Sequence, residues 1–219
     1  SQFRPVLLPL QPLALSWGGD AEVRTLKAAQ WQGGHVMPTG DALLSGSYLN
    51  ELLMRLLARD DPHPGLFDHY ALAVQLLAER SDAQQLVLRA FELLLLRDTG
   101  LLPDLSCEGS TLAPLQEGTS YVLGAESGLR VAHGDDVHSL EASQWLLLQT
   151  ALNDRDPLIA SLRACAGCQQ SLQPQLRALL HYHSGVRVFR TRQLLLDLQS
   201  LVRPKAVPDP VASSGPTSS

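Results

Sequence analysis

Residues 45–79, SGSYLNELLMRLLARDDPHPGLFDHYALAVQLLAE, predict two amphipathic helices joined by a proline-containing corner. In the first part, apolar residues recur at helical spacing, which is typical of a helix with one buried face. These residues are Tyr48, Leu49, Leu52, Leu53, Leu56 and Leu57. Pro62 and Pro64 interrupt the pattern, because proline has no backbone N–H to donate to a helical hydrogen bond. A second apolar pattern begins at Phe67, so the stretch predicts a helical hairpin at the core of the fold.

Helical patterns continue on the C-terminal side of this hairpin. The first two helices are predicted over 41–58 and 64–79. A third is predicted over 82–98, with Ser81 or Asp82 as its N-cap and Gly100 just past its end. The segment around Leu93–Leu96 is apolar nearly all round, which is typical of a helix at the centre of a bundle. Shorter helices are predicted over 139–152, 157–166, 172–182 and 191–202.

The N-terminal segment, residues 3–31, predicts β structure. Pro9 and Pro12 exclude a helix there and suit an edge strand or a bulge beside the apolar runs 6–8 and 13–15. A turn signal at Gly18-Gly19-Asp20 is followed by an alternating pattern from Val23 to Lys27, which is typical of a half-buried strand. The segment therefore predicts a β-hairpin, which needs support from further strands or a helix face to be stable.

Residues 101–137 predict a loop that contains a second, smaller hairpin. Glycines and prolines are frequent in this segment, and short apolar runs at 121–123 and 129–131 flank a turn near Ser127. The fold class predicted for the whole chain is α+β, mainly α. Helices dominate, and the two hairpins are the β component.

Composition excludes several classes of protein. The 219 residues carry a formal net charge of −5, which argues against a generally basic nucleic-acid binder but leaves room for a local basic face. Three cysteines, an odd number, argue against a disulfide-built secreted protein and suit a reducing cytoplasm. No run of about 20 apolar residues predicts a membrane span. We therefore expect no membrane partner.

Two clusters of chemistry-bearing residues are weak as sites. Cys165 and Cys168 form a CxxC pair, but zinc would need two more suitably spaced ligands, so packed thiols are the simpler interpretation. A loop cluster of histidine and aspartate, His133, Asp135, Asp136 and His138, has no spacing typical of a metal site. No GxSxG, HExxH, Walker A or GxGxxG pattern occurs. The sequence predicts no catalytic residue, no metal and no cofactor, and an enzyme would rest on these two clusters alone.

Two basic features are open to two interpretations each. Between His181 and Lys205 arginines outnumber acids, so this stretch could contact phosphates or be a solvated helix boundary. Arg89 lies within the apolar third helix, where an arginine must reach water or meet an anion. A partner's carboxylate beside an apolar pocket would satisfy it, and so would an internal ion pair with Glu92.

Several motifs, in a consistent order, resemble the RecO family of recombination mediators. They are Leu10-Gln11-Pro12-Leu13, YLNELL at 48–53, LFDHY at 66–70, LRAFELLLL at 88–96 followed by Gly100 and Pro103-Asp104, and Ser184-Gly185 with Phe189-Arg190-Thr191-Arg192. The resemblance implies three regions: residues 1–36 as the last strands of an OB-fold barrel, residues 37–204 as a helical domain, and residues 205–219 as a disordered tail. The insertion around 101–137 would be a degenerate zinc finger.

The chain departs from the family pattern at two places. Many members carry a four-cysteine zinc finger, and only Cys107 stands at one of its ligand positions. Ser110 occupies the next position, and no cysteine lies near Gly128. Family members also normally begin with the first strands of the barrel, so we expect this chain to be N-terminally truncated.

The resemblance implies a non-enzymatic mediator of the RecF pathway, located in the cytoplasm with the nucleoid. It would bind single- and double-stranded DNA, anneal strands, act with RecR, and promote indirectly the loading of RecA. It would also bind the acidic C-terminal tail of single-stranded-DNA-binding protein. The alternative is a truncated helical interaction module without DNA affinity. The implied DNA-binding residues are Arg4, Arg24, Lys27, Arg187, Arg190 and Arg192, and the implied tail-binding residues are Arg89, Phe91, Leu52 and Leu56.

Overall fold

The computed structural model describes residues 3–20, 22–34, 36–186, 188–191 and 193–194. Over these residues the chain forms six α-helices and two small antiparallel sheets, with no closed barrel. The helices are α1 Asp41–Leu56, α2 Pro64–Glu79, α3 Gln84–Asp98, α4 Ala142–Leu152, α5 Pro157–Cys165 and α6 Gln169–Ser184. The strands are β1 Leu13–Gly18, β2 Thr25–Trp31, β3 Ser120–Gly124, β4 Gly128–Val131 and β5 Leu140–Glu141.

Helix α3 is the centre of the bundle, as its all-round apolar pattern predicts. It packs against α1, α2, α5 and α6. Leu93, Leu94, Leu95 and Leu96 are all fully buried. A helix surrounded on every side by other helices cannot place polar residues in its middle without partners, which is why its sequence lacks a polar face.

The predicted helical hairpin is present as α1 and α2. Helix α1 ends at Leu56, and Pro64 opens α2, where its missing N–H costs nothing because the first N–H groups of a helix are unpaired. Gly46 in α1 admits the side chain of Leu10, since a Cβ there would lie 2.6 Å from Leu10 Cδ1. This contact anchors the N-terminal segment against α1.

The start of α3 differs from the prediction. Neither Ser81 nor Asp82 is the N-cap, because residues Ser81–Ala83 form a short 3₁₀ turn and the helix begins at Gln84. Asp82 instead lies 3.7 Å from Arg80 in an exposed ion pair. At the other end the prediction holds, because Gly100 adopts the left-handed conformation (φ 71°) that terminates helices.

The N-terminal hairpin is formed by β1 and β2. Leu13 pairs with Trp31 and Gly18 with Thr25, with a bulge after Ser16. Every residue of both strands is exposed or only half-buried, so the hairpin contributes little to the core. Of the apolar run 6–8, predicted as strand, Val6 lies in a turn and Leu7 and Leu8 have no regular secondary structure. An origin of this unit in an OB-fold barrel therefore stays a prediction.

Two exposed ion pairs join the hairpin to the α1–α2 corner. Arg24 lies 3.4 Å from Asp60, and Arg59 lies 3.2 Å from Glu22. Each side of the contact supplies one acid and one base. Exposed pairs of this kind each stabilise by at most about 1 kcal/mol. These pairs add a weak charged contact to the anchor that Leu10 provides next to the hairpin.

The second sheet has the strand order β4-β3-β5 and covers one side of the bundle. Tyr121 pairs with Val131 across β3 and β4, and Ser120 pairs with Glu141 of β5. Strand β5 is absent from the prediction because two residues are too few for an alternating pattern. The sheet is joined to α4 by Trp145, whose indole N–H donates to Tyr121 O at 3.3 Å.

Close backbone contact holds the 101–119 loop against this sheet. Gly109 N donates to Leu129 O at 2.8 Å, and Glu108 N donates to Ala113 O at 2.9 Å. Gly109 lies so close to Ser127 that a Cβ at position 109 would clash with the Ser127 carbonyl oxygen. The loop is therefore organised by backbone hydrogen bonds and by the absence of a side chain at one position.

Helix α6 begins at Gln169, three residues before the predicted start, and ends at Gly185, which has φ 66°. Its last residue, Ser184, lies two residues past the predicted end. The predicted helix over 191–202 and the tail over 205–219 lie almost entirely outside the described residues, so those two predictions are not addressed.

Candidate functional site

A pocket opens where α1, α3 and α6 meet the C-terminal segment 188–191. Its surface is mainly apolar, although most of the residues that line it also carry a polar group, and its volume is about 130 Å³. Empty cavities of roughly this size accept a molecule such as benzene, so the pocket matches one apolar side chain. The residues that line it are Leu44, Ser45, Tyr48, Gln85, Leu88, Arg89, Glu92, Gln173, Arg177 and Thr191.

Arg89 lines this pocket and also makes the internal ion pair that the sequence leaves as an alternative. Its Nη2 donates to Glu92 Oε1 at 2.6 Å, one helical turn away on α3. Arg89 is 5% exposed and Glu92 is 1% exposed. The Nε of Arg89 is buried and makes no hydrogen bond within the described part of the chain. A guanidinium with one engaged nitrogen keeps further donors for a second anion.

Guanidinium groups among the described lining residues favour an anion. Arg89 and Arg177 are two positive groups in its lining, and Glu92 is one negative group. Arginine presents planar N–H groups that match a carboxylate in bidentate geometry. The combination of a cavity for one apolar side chain and the remaining donors of Arg89 suits an apolar residue that carries a free carboxylate.

The apolar walls differ from the predicted ones. Leu44, Tyr48 and Leu88 supply them, and the described lining does not include Phe91, Leu52 or Leu56. Phe91 and Leu52 are fully buried. Phe91 lies two residues after Arg89, about 200° further round the helix, and therefore faces away from the pocket toward the ring of Tyr70, 6.1 Å away. Phe91 and Leu52 therefore belong to the core, and Leu56 is half-buried and packs against it. A role of these three residues in tail binding stays a prediction.

Tyr48 connects two parts of the site. Its hydroxyl donates to Glu92 Oε1 at 2.8 Å. Its ring lies edge-on against Phe189, with centroids 5.6 Å apart. In the sequence Tyr48 is one of six residues in an apolar stripe, and no spacing there distinguishes it from core. Its role as a pocket wall depends on a partner 44 residues away, which periodicity cannot reveal.

The segment 188–191 is held against α1 by Glu51. Its carboxylate accepts hydrogen bonds from Arg190 N at 3.0 Å, Thr191 N at 3.0 Å and Thr191 Oγ1 at 2.8 Å. Partial burial raises the pKa of Glu51. The hydrogen bonds and the positive charge of Arg55 outweigh that effect, so the pKa lies below its ordinary value. Glu51 is thus a charged carboxylate at neutral pH.

The implied DNA-binding residues are scattered over two regions. Arg4, Arg24 and Lys27 are exposed and belong to the N-terminal segment and hairpin, whereas Arg190 is exposed next to α1. Arg24 is paired with Asp60. Arg187 and Arg192 lie outside the described residues. Two exposed indoles, Trp17 and Trp31, accompany the basic residues of the hairpin.

The CxxC pair lies between α5 and α6 and is shielded from solvent. Cys165 is fully buried and Cys168 is 6% exposed. Burial raises the pKa of both thiols, and the neighbouring Cys168 raises that of Cys165 further. Nucleophilic attack and metal ligation both need the thiolate, so these positions suit packing better than chemistry.

In the histidine–aspartate loop, Asp136 has a structural role. It accepts two hydrogen bonds from the Arg130 guanidinium, at 2.8 and 2.9 Å, and one from His133 N at 2.8 Å. The hydrogen bonds from Arg130 hold the pKa of Asp136 well below its usual range. Over the described residues no group of three or more histidine, cysteine, aspartate or glutamate side chains could hold a metal ion.

Comparison with known proteins assigns the family. The family model described as "Recombination protein O C terminal" matches residues 37–192. The chain belongs to the RecO family. Its similarity to "DNA repair protein RecO" of Polaromonas sp. (strain JS666 / ATCC BAA-500) is 65% identity over 202 residues, which cover 92% of this chain and 81% of that protein.

Other RecO relatives agree. "DNA repair protein RecO" of Polaromonas naphthalenivorans is 63% identical over 202 residues, covering 92% of this chain and 81% of that protein. "DNA repair protein RecO" of Albidiferax ferrireducens is 58% identical over 202 residues, covering 92% of this chain and 80% of that protein. Membership of the RecO family supports a role in DNA repair. Among the described helices, none has the length and apolar character needed to cross a bilayer.

Proposed function

We propose that this chain is a non-enzymatic recombination mediator of the RecF pathway. It binds single- and double-stranded DNA, anneals complementary strands and, together with RecR, helps RecA to assemble on single strands coated by single-stranded-DNA-binding protein. It acts in the cytoplasm, at the nucleoid. Membership of the RecO family supports this proposal, and so does the pocket at Arg89, which fits one part of the mediator's task.

That part is capture of the acidic C-terminal tail of single-stranded-DNA-binding protein. The carrying observation is that Arg89, a buried guanidinium whose Nε has no hydrogen-bond partner among the described residues, lines a pocket sized for one apolar side chain. The terminal apolar side chain of the tail would enter between Leu44, Tyr48 and Leu88. Its free carboxylate would lie beside the guanidinium. Acidic residues preceding the terminus would be attracted by the guanidinium of Arg89.

The ion pair with Glu92 tunes this binding rather than preventing it. Glu92 keeps Arg89 neutralised while the pocket is empty, because a lone buried guanidinium would be strongly destabilising. An incoming carboxylate joins an existing pair and adds hydrogen bonds through the remaining donors of Arg89. The affinity is then moderate, because the new anion is also near the Glu92 carboxylate.

Fluorescence anisotropy with a labelled acidic peptide that ends in phenylalanine tests the proposal. The matched probe is the same peptide with an amidated C terminus, which keeps the side chain and removes the terminal charge. We expect the free acid to bind at least tenfold more tightly than the amide. Equal binding of the two peptides, or none by either, would remove the pocket from tail recognition.

The DNA-binding surface is proposed to include Arg4, Arg24, Lys27 and Arg190, with Trp17 and Trp31 as stacking platforms. A basic groove lined by aromatic rings is how OB-fold proteins hold single strands, and the hairpin is proposed to derive from such a barrel. Arginines at positions 187 and 192 extend the basic sequence beyond the described residues.

A second candidate, a helical interaction module without useful DNA affinity, is favoured by one observation. Arg24 and Arg59, the basic residues at the hairpin–corner contact, are both paired with acids. Titration of single-stranded DNA at low and high salt separates the candidates. A mediator binds at low salt and loses affinity steeply as salt rises, whereas the module binds at neither concentration.

A further inference from the structure

The C-terminal segment 188–191 forms one wall of the pocket. Thr191 lines the cavity directly. Phe189 is 1% exposed and lies between two rings. Its ring centroid is 5.6 Å from that of Tyr48 and 5.0 Å from that of His181. A buried aromatic flanked by edge-on rings is a strong anchor for a short segment. The described shape of the pocket includes this docked anchor.

Glu51 is the second anchor, and it acts as a helix cap supplied from elsewhere in the chain. Its carboxylate takes the N–H groups of Arg190 and Thr191, and Gln193 N donates to Phe189 O at 3.1 Å in helical fashion. Capping residues usually precede the helix by one position. Here the cap lies 139 and 140 residues earlier, so its bonds close the segment onto α1.

The two anchors are mechanically connected to Arg89. Tyr48 and Glu51 lie three residues apart on α1 and therefore on the same face. The ring of Tyr48 contacts Phe189, and its hydroxyl contacts Glu92, which in turn pairs with Arg89. Undocking of the segment would remove the Thr191 wall and also free the Tyr48 ring that orients Glu92.

We propose that Glu51 and Phe189 are positioning residues for the pocket, so that an acidic peptide with an apolar, free C-terminal residue binds tightly only when segment 188–191 is docked. This inference rests on the proposed function, because it concerns the same pocket. It adds the requirement that segment 188–191 must be docked before the peptide can bind tightly.

Three variants of the full chain test it: Glu51→Ala, Glu51→Gln, and Glu79→Ala as the control on the exposed end of α2. Anisotropy is measured with the free-acid and the amidated peptide, and hydrogen exchange is followed for 188–191. Loss of a cap corresponds to a factor of about five in an equilibrium constant. We expect Glu51→Ala to weaken binding of the free-acid peptide about fivefold. The ratio of the affinities for the free-acid and amidated peptides should become smaller, and hydrogen exchange at 188–191 should become faster.

Glu51→Gln keeps one oxygen acceptor and should recover part of the lost affinity, and Glu79→Ala should behave as the unsubstituted chain. Faster exchange at 188–191 in Glu51→Ala with unchanged free-acid affinity would overturn this inference alone. Unchanged hydrogen exchange would show that the Glu51 carboxylate does not hold segment 188–191 in place. Failure of the unsubstituted chain to prefer the free acid would overturn the proposed function, and this inference with it.

Discussion

The hydroxyl of Tyr48 donates to Glu92 Oε1 at 2.8 Å, which ties α1 to the buried ion pair of α3. Replacement of Tyr48 by phenylalanine removes this donor from a carboxylate that is 1% exposed. We expect Tyr48→Phe to lower the free energy of unfolding by about 1–3 kcal/mol, because the lost hydrogen bond serves a buried charged group. Urea unfolding measures it. Tyr182→Phe, which changes a tyrosine on the surface, is the control, and equal stability of both variants would contradict the role of Tyr48.

Arg89→Glu is expected to weaken binding of the free-acid tail peptide at least tenfold, roughly 1.4 kcal/mol, because it replaces the attracting cation by a repelling anion. The substitution also places two carboxylates together in the core, which destabilises the fold. The double variant Arg89→Met with Glu92→Met keeps the volume and removes both charges. Folding of the double variant is checked by circular dichroism. If it folds and still binds the free acid tenfold more tightly than the amide, Arg89 is not the carboxylate site.

Part of this site follows from the sequence and part does not. The isolation of Arg89 in an apolar helix predicts that it needs an anion, and it has one in Glu92. Helical geometry also separates the directions of Arg89 and Phe91, which lie about 200° apart around α3. The remaining walls come from α1, α6 and segment 188–191, and no local pattern tells which face of one helix meets which face of another.

The fold, like the site, can be predicted only in part from the sequence. Long periodic segments such as 64–79 and the leucine run of α3 are dictated locally, because burial of one stripe or of all sides leaves a clear sequence pattern. Strand β5 has two residues, and the start of α3 depends on a 3₁₀ turn whose cap-like residues serve other partners. Glu51 illustrates the limit: its role as a cap depends on residues 139 and 140 positions away, which only the folded chain brings close.

Gly109 is predicted to be intolerant of any side chain. A Cβ at this position would meet the Ser127 carbonyl, so Gly109→Ala must push the 101–119 loop away from β4. Forced insertion of a methyl group into a packed site typically costs about 1–3 kcal/mol. Gly134→Ala is the matched control in the same insertion, because a Cβ there meets no atom within 4 Å. Similar urea midpoints for the two variants would contradict the close approach of the loop and β4.

The attachment of segment 188–191 by the Glu51 carboxylate should depend on pH. Its pKa lies below the ordinary value of 4.5, so the folded state favours the carboxylate relative to the unfolded chain. A depressed pKa contributes stability that is complete above the unfolded value and is lost as the pH falls through the folded value. The stability difference between the unsubstituted chain and Glu51→Gln should therefore be constant near neutral pH and shrink below about pH 4.5. Urea unfolding across this range measures it, and a difference that grows on acidification would be the wrong sign.

Asp60 is predicted to restrain DNA binding by the hairpin. It lies 3.4 Å from the guanidinium of Arg24 and has a left-handed backbone (φ 60°), a conformation that asparagine also tolerates. Asp60→Asn should therefore keep the corner intact and release the charge of Arg24 for phosphate contacts. We expect affinity for single-stranded DNA to rise about threefold at low salt and the gain to vanish at high salt, because the added contact is screened. Asp82→Asn removes an exposed acid paired with Arg80 and controls for net charge. An equal gain in both variants would show that Arg24 has no special place in the DNA-binding surface.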